Sequence, residues 1–337
     1  MKRIFIMFLC MQAAVQAFSQ QDAQLSHNMF NKLDYNPAFA GMTHGQCLSM
    51  IYRNQWLNFP GAPVTTLLNV NQFVPIMQGG IGFTAAEDKL GNERNFACLL
   101  SGSRHFNIGN GELSLGGRIG WMQKSFIDNW IAPDGVPGDN SIPVGTPPLS
   151  FMDLGAGLFY LDARENYVGL SMNHAYNNGN DIADHYFKNV PHYYLTAGTK
   201  ITVPGMRSLA FKPSVLVKSD GKAMIFDLNG LLYFNDKFWA GASYRMTDAI
   251  VLMVGVNWRG VKIGYAFDYT TSELKNYSSN THELMISYCR RLLGKEVVHG
   301  HHNPRLMNEG PINKTETYRP SNCGLYNAMQ GNVNFEQ

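Results

Sequence analysis

Charge is what this sequence has least of. Only 15% of its 337 residues are Asp, Glu, Lys or Arg, against about a quarter in an ordinary soluble protein. That shortage fits a large surface that does not face water. A basic surplus is missing too. Lys2 and Arg3 belong to a leader, and without them the formal charge falls from +2 to zero, so nothing suggests a nucleic-acid partner. Beyond the leader no apolar run approaches the ~18–20 residues that a membrane helix needs. Cysteines are few. Cys47, Cys98, Cys289 and Cys323 remain after the leader, and their spacing matches no metal motif. Free thiols packed as small apolar groups are the expectation, with a Cys289–Cys323 bridge as the alternative. No nucleophile elbow and no HExxH occur. A hydrolase embedded here would need a triad assembled in space, and neither catalysis nor a cofactor is expected. Gly109-Asn110-Gly111 reads as a turn, with no phosphate-cradling motif around it.

The leader is a secretory signal peptide over residues 1–19. Lys2-Arg3 is followed by the apolar Ile4–Met11 and by the small residues of Ala17-Phe18-Ser19. Cleavage before Gln20 is expected, with cleavage after Ala17 as the alternative. Met7-Phe8-Leu9 ahead of Cys10 lacks the small residue of a lipoprotein signal.

What the chain has in quantity is alternation. From 249 to 270, Ile250, Leu252, Val254, Val256 and Trp258 alternate with small or polar residues, and after Arg259-Gly260 the pattern resumes with Val261, Ile263, Tyr265, Phe267 and Tyr269. Period two marks a strand with one apolar face. A two-residue turn at Arg259-Gly260 sets Trp258 opposite Val261 and Ile250 opposite Tyr269, so every apolar residue meets an apolar partner on one face. The other face carries Asn257, Lys262, Gly264 and Asp268.

Similar strands recur at 46–53, 64–74, 80–87, 95–104, 112–126, 151–161, 166–174, 192–203, 209–218, 223–234, 238–245 and 282–290. With the hairpin they number about fourteen, most of them about ten residues long, as tilted strands crossing a bilayer should be. A membrane protein without apolar helices must be a closed barrel. The fold class is therefore all-β, a transmembrane antiparallel outer-membrane β-barrel over residues 45–290. Connections after even-numbered strands are short, whereas those after odd-numbered strands include the two longest, 127–150 and 175–191. Outer-membrane barrels have short periplasmic turns and long outer loops, which puts both termini in the periplasm. The inward set includes Glu112, Arg118, Lys124, Lys200, Lys212, Lys218, Asp227, Arg245, Lys262 and Asp268. A dry core would not hold so many charges, so a hydrated lumen is expected. Outward Trp121, Tyr193, Trp258, Tyr265, Tyr269 and Tyr288 are candidates for the interfacial girdles that meet outer-membrane lipid.

Residues 20–44, rich in Asn, Gln and Met, read as an extended segment that either enters the lumen or lies against the rim. Residues 291–337 lose the alternation and read as a periplasmic tail. In that tail His299, His301 and His302 lie near Glu296, but neighbouring histidines in a polar stretch read as solvated. Asp134, Gly135, Gly138, Asp139 and Asn140 lack the ordered spacing of a calcium loop. No metal site is expected.

Several stretches resemble one family. Met29-Phe30-Asn31 is followed by Asn36-Pro37-Ala38-Phe39-Ala40-Gly41, then by Tyr52-Arg53-Asn54-Gln55-Trp56 and Gly61-Ala62-Pro63. Tyr288-Cys289 ends the last strand, and Asn303-Pro304-Arg305 follows in the tail. In this order they resemble the PorP/SprF outer-membrane proteins linked to type IX secretion and gliding motility. The resemblance implies a barrel that docks or retains a secreted cell-surface protein, such as an adhesin, and contacts secretion and gliding machinery. It supplies no catalytic residues. Its candidate partner-contact positions are Asn54, Gln55, Trp56, Gly61, Pro63, Asn303, Pro304 and Arg305, for which turn and rim packing is an equal reading. A passive solute channel is the alternative function, motivated by the charged lumen.

Overall fold

The computed structural model describes residues 22–126, 147–176, 190–203, 205–246, 248–272 and 280–291. The strands are β1 (Gly45–Asn54), β2 (Val64–Val74), β3 (Gly79–Leu90), β4 (Glu93–Ile108), β5 (Gly111–Phe126), β6 (Leu149–Asp162), β7 (Tyr167–Asn173), β8 (His192–Gly198), β9 (Ile201–Val203), β10 (Met206–Ser219), β11 (Met224–Phe234), β12 (Phe238–Arg245), β13 (Ala249–Trp258), β14 (Val261–Thr270) and β15 (Thr281–Arg291). Each pairs antiparallel with its neighbours, and β15 returns to β1 in continuous register from Gly45↔Arg291 to Asn54↔His282. The sheet thus closes on itself. β8 and β9 both pair with β10, so they are two pieces of one wall strand and the barrel has fourteen wall positions. Pro213 on β10 faces the break. Its carbonyl accepts from the Thr199 N–H at 3.1 Å, but proline has no N–H to return, and the single strand expected over 192–203 is interrupted there.

The 249–270 hairpin has the register expected from its alternation, Trp258↔Val261 through Ile250↔Tyr269. Arg259 and Gly260 both take positive φ, 50° and 84°, the geometry of a type I′ turn that matches strand twist. Outward side chains are mainly apolar across the middle of the wall. Leu252, Val254, Leu228 and Leu232 form part of an aliphatic belt, each about half exposed. Tyr52, Trp121, Tyr193, Tyr244 and Tyr269 flank that belt at the long-loop end; Phe234, Phe238, Trp258 and Tyr288 flank it at the short-turn end. Two aromatic girdles around an aliphatic belt are what a bilayer selects.

Of the two placements expected for the N-terminal segment, the structure has the one inside the barrel: residues 22–44 run through the lumen as a plug, so the lumen is not an open hollow but keeps cavities of about 180 and 150 Å³. Three short helical turns carry the plug, a 3-10 turn at Asn28–Phe30, an α-helical turn at Lys32–Tyr35 (α1) and a 3-10 turn at Pro37–Phe39, so the segment is not extended. Leu25 and Met29 pack with Ile51, Leu67, Val251, Met253, Ala266 and Met285 of the wall. Leu33, Phe39 and Met42 pack with Phe159 and Leu161. The face of the hairpin read as wet therefore contains Val251, Met253 and Ala266, each no more than 1% exposed, because the plug brings apolar groups that need partners. Among the lumenal charges, Arg118, Lys200, Lys212 and Arg245 pair with carboxylates, Lys218 donates to the Asp22 carbonyl, and Lys262 lies over the Phe30 ring.

The cysteine expectations are also corrected. Cys47 and Cys289 are register partners on β1 and β15 and form a disulfide. Neither free thiols at these positions nor a Cys289–Cys323 bridge applies. Both side chains point inward near the short-turn end, so the bond staples the first strand to the last across 242 residues of sequence. Cys98 is the one free cysteine among the described residues.

Candidate functional site: the plugged lumen and its rims

The plug descends from Asp22, at the long-loop end, to Thr43, beside the first residue of β1 at the short-turn end. The wall receives it with glycines. A Cβ at Gly116 would lie 2.4 Å from Ala38 Cα and N, one at Gly80 would lie 2.3 Å from Gly41 Cα and N, and one at Gly157 would lie 2.2 Å from Asn36 Oδ1. Only a residue without a side chain lets the plug come this close, by its backbone at Gly116 and Gly80 and by the Asn36 side chain at Gly157. Asn36 then works in both directions. Its Nδ2 donates to the carbonyls of Leu158 and Leu170 at 3.0 and 3.3 Å, and its Oδ1 accepts from the Ala38 N–H at 3.0 Å. It thereby caps the Pro37–Phe39 turn while tying it to β6 and β7. Ser114 Oγ donates to the Ala38 carbonyl at 2.6 Å, and Ser171 Oγ donates to that of Tyr35 at 2.6 Å.

Nearer the long-loop end the plug is held by charge. Arg53 donates to Ser26 Oγ at 2.7 Å, to Glu283 at 3.0 Å and to Asp268 at 2.8 Å. Glu283 in turn accepts the backbone N–H groups of Ser26 and His27 at 2.7 and 2.8 Å and contacts His27 Nδ1 at 2.7 Å. Arg245 bridges Asp227 and Asp268 at 3.1 and 3.3 Å. Arg53, Arg245, Asp268 and Glu283 are all at most 2% exposed. Buried charges survive only when paired and hydrogen-bonded. Here the plug's own N–H groups and hydroxyl complete the pairing of the wall's charges.

At the short-turn end His44 Nε2 lies 2.8 Å from Glu112 Oε2, and His105 Nδ1 lies 3.0 Å from Glu112 Oε1 but out of line for a hydrogen bond. Ser103 Oγ lies 3.0 Å from His105 Nε2. Serine, histidine and glutamate thus stand in triad order, but the plug occupies the serine. Ser103 Oγ donates to the Ala40 carbonyl at 2.6 Å and accepts from the Gly80 N–H at 3.1 Å. No attacking position is open while residues 40–41 sit there, and the cluster works as a clasp.

A family model described as "Type IX secretion system membrane protein PorP/SprF" matches residues 17–288. The chain belongs to the PorP/SprF family. Two of the stretches that carried the resemblance have physical roles in this PorP/SprF barrel. Asn36-Pro37-Ala38-Phe39-Ala40-Gly41 is the stretch seated on Gly80, Gly116 and Gly157, and Arg53 is the cation that binds Ser26, Asp268 and Glu283. No curated protein sequence matches the chain. Among solved structures, the barrel is similar to the outer membrane protein Omp33 of Acinetobacter baumannii, at 9% identity and TM-score 0.41 over 73% of this chain and 99% of that one. CdiB from Acinetobacter baumannii follows at 7% identity and TM-score 0.39, over 73% of this chain and 60% of that one. The beta domain of the Bordetella autotransporter BrkA is 11% identical with TM-score 0.31, over 74% and 99%.

The partner-contact candidates of this PorP/SprF chain divide into two groups. Asn54 ends β1 opposite Val64 and His282. The Gln55 N–H donates to the Pro63 carbonyl at 2.9 Å, and the Trp56 N–H donates to Thr281 Oγ1 at 3.1 Å. Trp56 takes φ 49° and Gly61 φ 76°. The Gly61 carbonyl accepts from the Gly91 N–H at 2.9 Å, and a Cβ on Gly61 would sit 3.2 Å from Gly91 Cα. The structure therefore brings these five together as one loop, pinned between the β3–β4 turn and the start of β15. Asn303, Pro304 and Arg305 lie outside the described residues, as do His299, His301, His302 and the acidic stretch at 134–140. Sequence reasoning missed the plug contacts, although inward glycines at 80, 116 and 157, in strands otherwise lined by side chains, were a signal that something approaches closely.

Proposed function

We propose that this PorP/SprF barrel docks or retains a secreted cell-surface protein, such as an adhesin, at the outer membrane, and contacts type IX secretion and gliding machinery on the periplasmic side. The long-loop end faces out in this reading, because outer-membrane barrels carry their long loops outside. The observation that carries it is the plug. Residues 22–44 take up much of the lumen, with cavities of about 180 and 150 Å³ beside them, and in this reading the working surfaces are the two rims. The loop over 55–63, tied to β15 and to the β3–β4 turn, offers a rigid outer platform on which Phe59 is 40% exposed. Rigid exposed aromatics suit protein recognition. The passive-channel alternative is less favoured, since Arg53, Arg118, Arg245, Lys200 and Lys212 are ion-paired to lumenal carboxylates.

Deletion of the gene tests the proposal through surface display and motility. Loss of one exported adhesin from the cell surface, with unchanged synthesis, is expected; unchanged display and motility would count against it. Conductance in planar bilayers tests the channel separately. Closed traces are expected, and steady open conductance by the unaltered chain would return the channel reading.

A further inference from the structure

Three segments converge at the long-loop end of the lumen. Asp22 begins the described plug, His174 follows β7, and His192 opens β8. Each offers one ligand atom, and the three atoms lie within 4.8 Å of one another. Their second contacts aim them. His174 Nδ1 is bonded to Asp153 Oδ1 at 2.7 Å, which turns Nε2 toward Asp22 Oδ1 at 2.9 Å. The hydroxyl of Tyr194 donates to the other oxygen of Asp22. His192 Nδ1 donates to the Val190 carbonyl at 2.9 Å, leaving Nε2 as its free ligand atom. That nitrogen is buried and has no partner, on a residue only 3% exposed. A buried imidazole lone pair without a donor is costly and calls for an occupant.

Two imidazoles and a carboxylate, with a further carboxylate behind one imidazole, form a donor set that suits zinc. We propose that Asp22, His174 and His192 bind a divalent transition-metal ion of the zinc class. A fourth position opens into a cavity of about 180 Å³ whose lining includes all three residues. Each imidazole must offer an unprotonated nitrogen to the ion, so affinity falls as pH falls. Lys218, whose Nζ donates to the Asp22 carbonyl at 2.6 Å, and Arg118, 3.5 Å from Asp153, are the facing cations; Asp34 and Lys124 line the same cavity. The ion ties the start of the plug to β7 and β8, two wall strands joined by one of the two longest loops. This does not depend on the docking proposal.

The test uses the full mature chain in detergent with His299→Ser, His301→Ser and His302→Ser, so that the tail contributes no imidazole. After chelation, zinc chloride is titrated by calorimetry and cobalt chloride by visible absorption. One equivalent of zinc and cobalt d–d bands of low coordination number are expected. His192→Ala should weaken zinc at least ~100-fold, and Asp153→Asn should weaken it about ten- to hundredfold with the stoichiometry kept. Heat-modifiable migration on gels confirms that each variant is folded. Should His174→Ala fail to fold, His192→Ala, which removes one hydrogen bond to the Val190 carbonyl and the ring contacts with His174 and Tyr194, and the cobalt spectrum of the parent decide the matter. No metal uptake by the folded parent, or uptake that survives His192→Ala unchanged, overturns the proposal.

Discussion

Replacing Gly116 by alanine should loosen the plug without touching the lipid face. The new methyl would lie 2.4 Å from Ala38 Cα and N and 2.6 Å from the Pro37 carbonyl carbon. All three are backbone atoms, so no rotamer change relieves the contact. Reaching an ordinary separation of 3.4 Å or more requires residues 37–38 to retreat by roughly 1 Å, and overpacking of this kind costs about 1–3 kcal/mol. The same turn is held by the Phe39 and Ala40 N–H bonds to Asn36 and Pro37 at 3.1 and 3.2 Å, and these amides report on whether the plug is seated. If the plug alone moves, a cost of about 2 kcal/mol lowers their protection against hydrogen exchange roughly 30-fold, at about 1.4 kcal/mol per factor of ten. Mass-spectrometric exchange on the peptide over 36–42 measures it. Gly117→Ala is the control, because the next residue on the same strand faces outward and its Cβ would meet nothing nearer than the Gly155 carbonyl oxygen at 4.0 Å. Equal exchange in the two variants, or loosening confined to β5 and β6, would refute the reasoning.

Three further expectations follow from the same contacts. Arg53→Met leaves Asp268 and Glu283 buried without their shared guanidinium, a loss of about 3–5 kcal/mol held to the lower end by Arg245 at 3.3 Å from Asp268; a denaturant midpoint that moves by less than ~1 kcal/mol equivalent would show that the plug is anchored elsewhere. Replacing Cys47 and Cys289 together by serine should cost about 2–5 kcal/mol, and peptide mapping of the unaltered chain should recover the two cysteines in one linked fragment. Identical unfolding with and without reductant would contradict the pairing. Asp220, in the turn between β10 and β11, accepts the Lys222 and Ala223 N–H groups at 2.9 and 2.7 Å; although burial works the other way, these bonds hold its carboxyl below the usual range. A depressed acid stabilises the fold above its unfolded pKa and loses that contribution as pH falls, so the stability gap between the unaltered chain and Asp220→Ala should narrow below about pH 4. A gap that widens on acidification would be inconsistent with this turn geometry.

Much of the wall was legible because a strand's face is a local property. Ile250 to Trp258 and Val261 to Tyr269 declare their outward side by alternation alone, and a turn at Arg259-Gly260 converts that pattern into a register. The same logic separated the outward Trp121 and Tyr193 from the inward Glu112 and Arg118, and with no apolar helix available it required the sheet to close. The interior was not legible in this way. Asn36 and Gly157 touch across 121 residues, Ser26 and Glu283 across 257, and Cys47 and Cys289 across 242. No spacing rule connects such pairs. Inward charges looked like the lining of a watery channel because a paired charge and a hydrated one have the same letter. The sequence by itself determined a closed, lipid-facing wall, since period-two hydrophobicity acts residue by residue. Only the tertiary structure decided that the lumen is filled, because which buried charge meets which plug amide depends on the whole chain being folded at once.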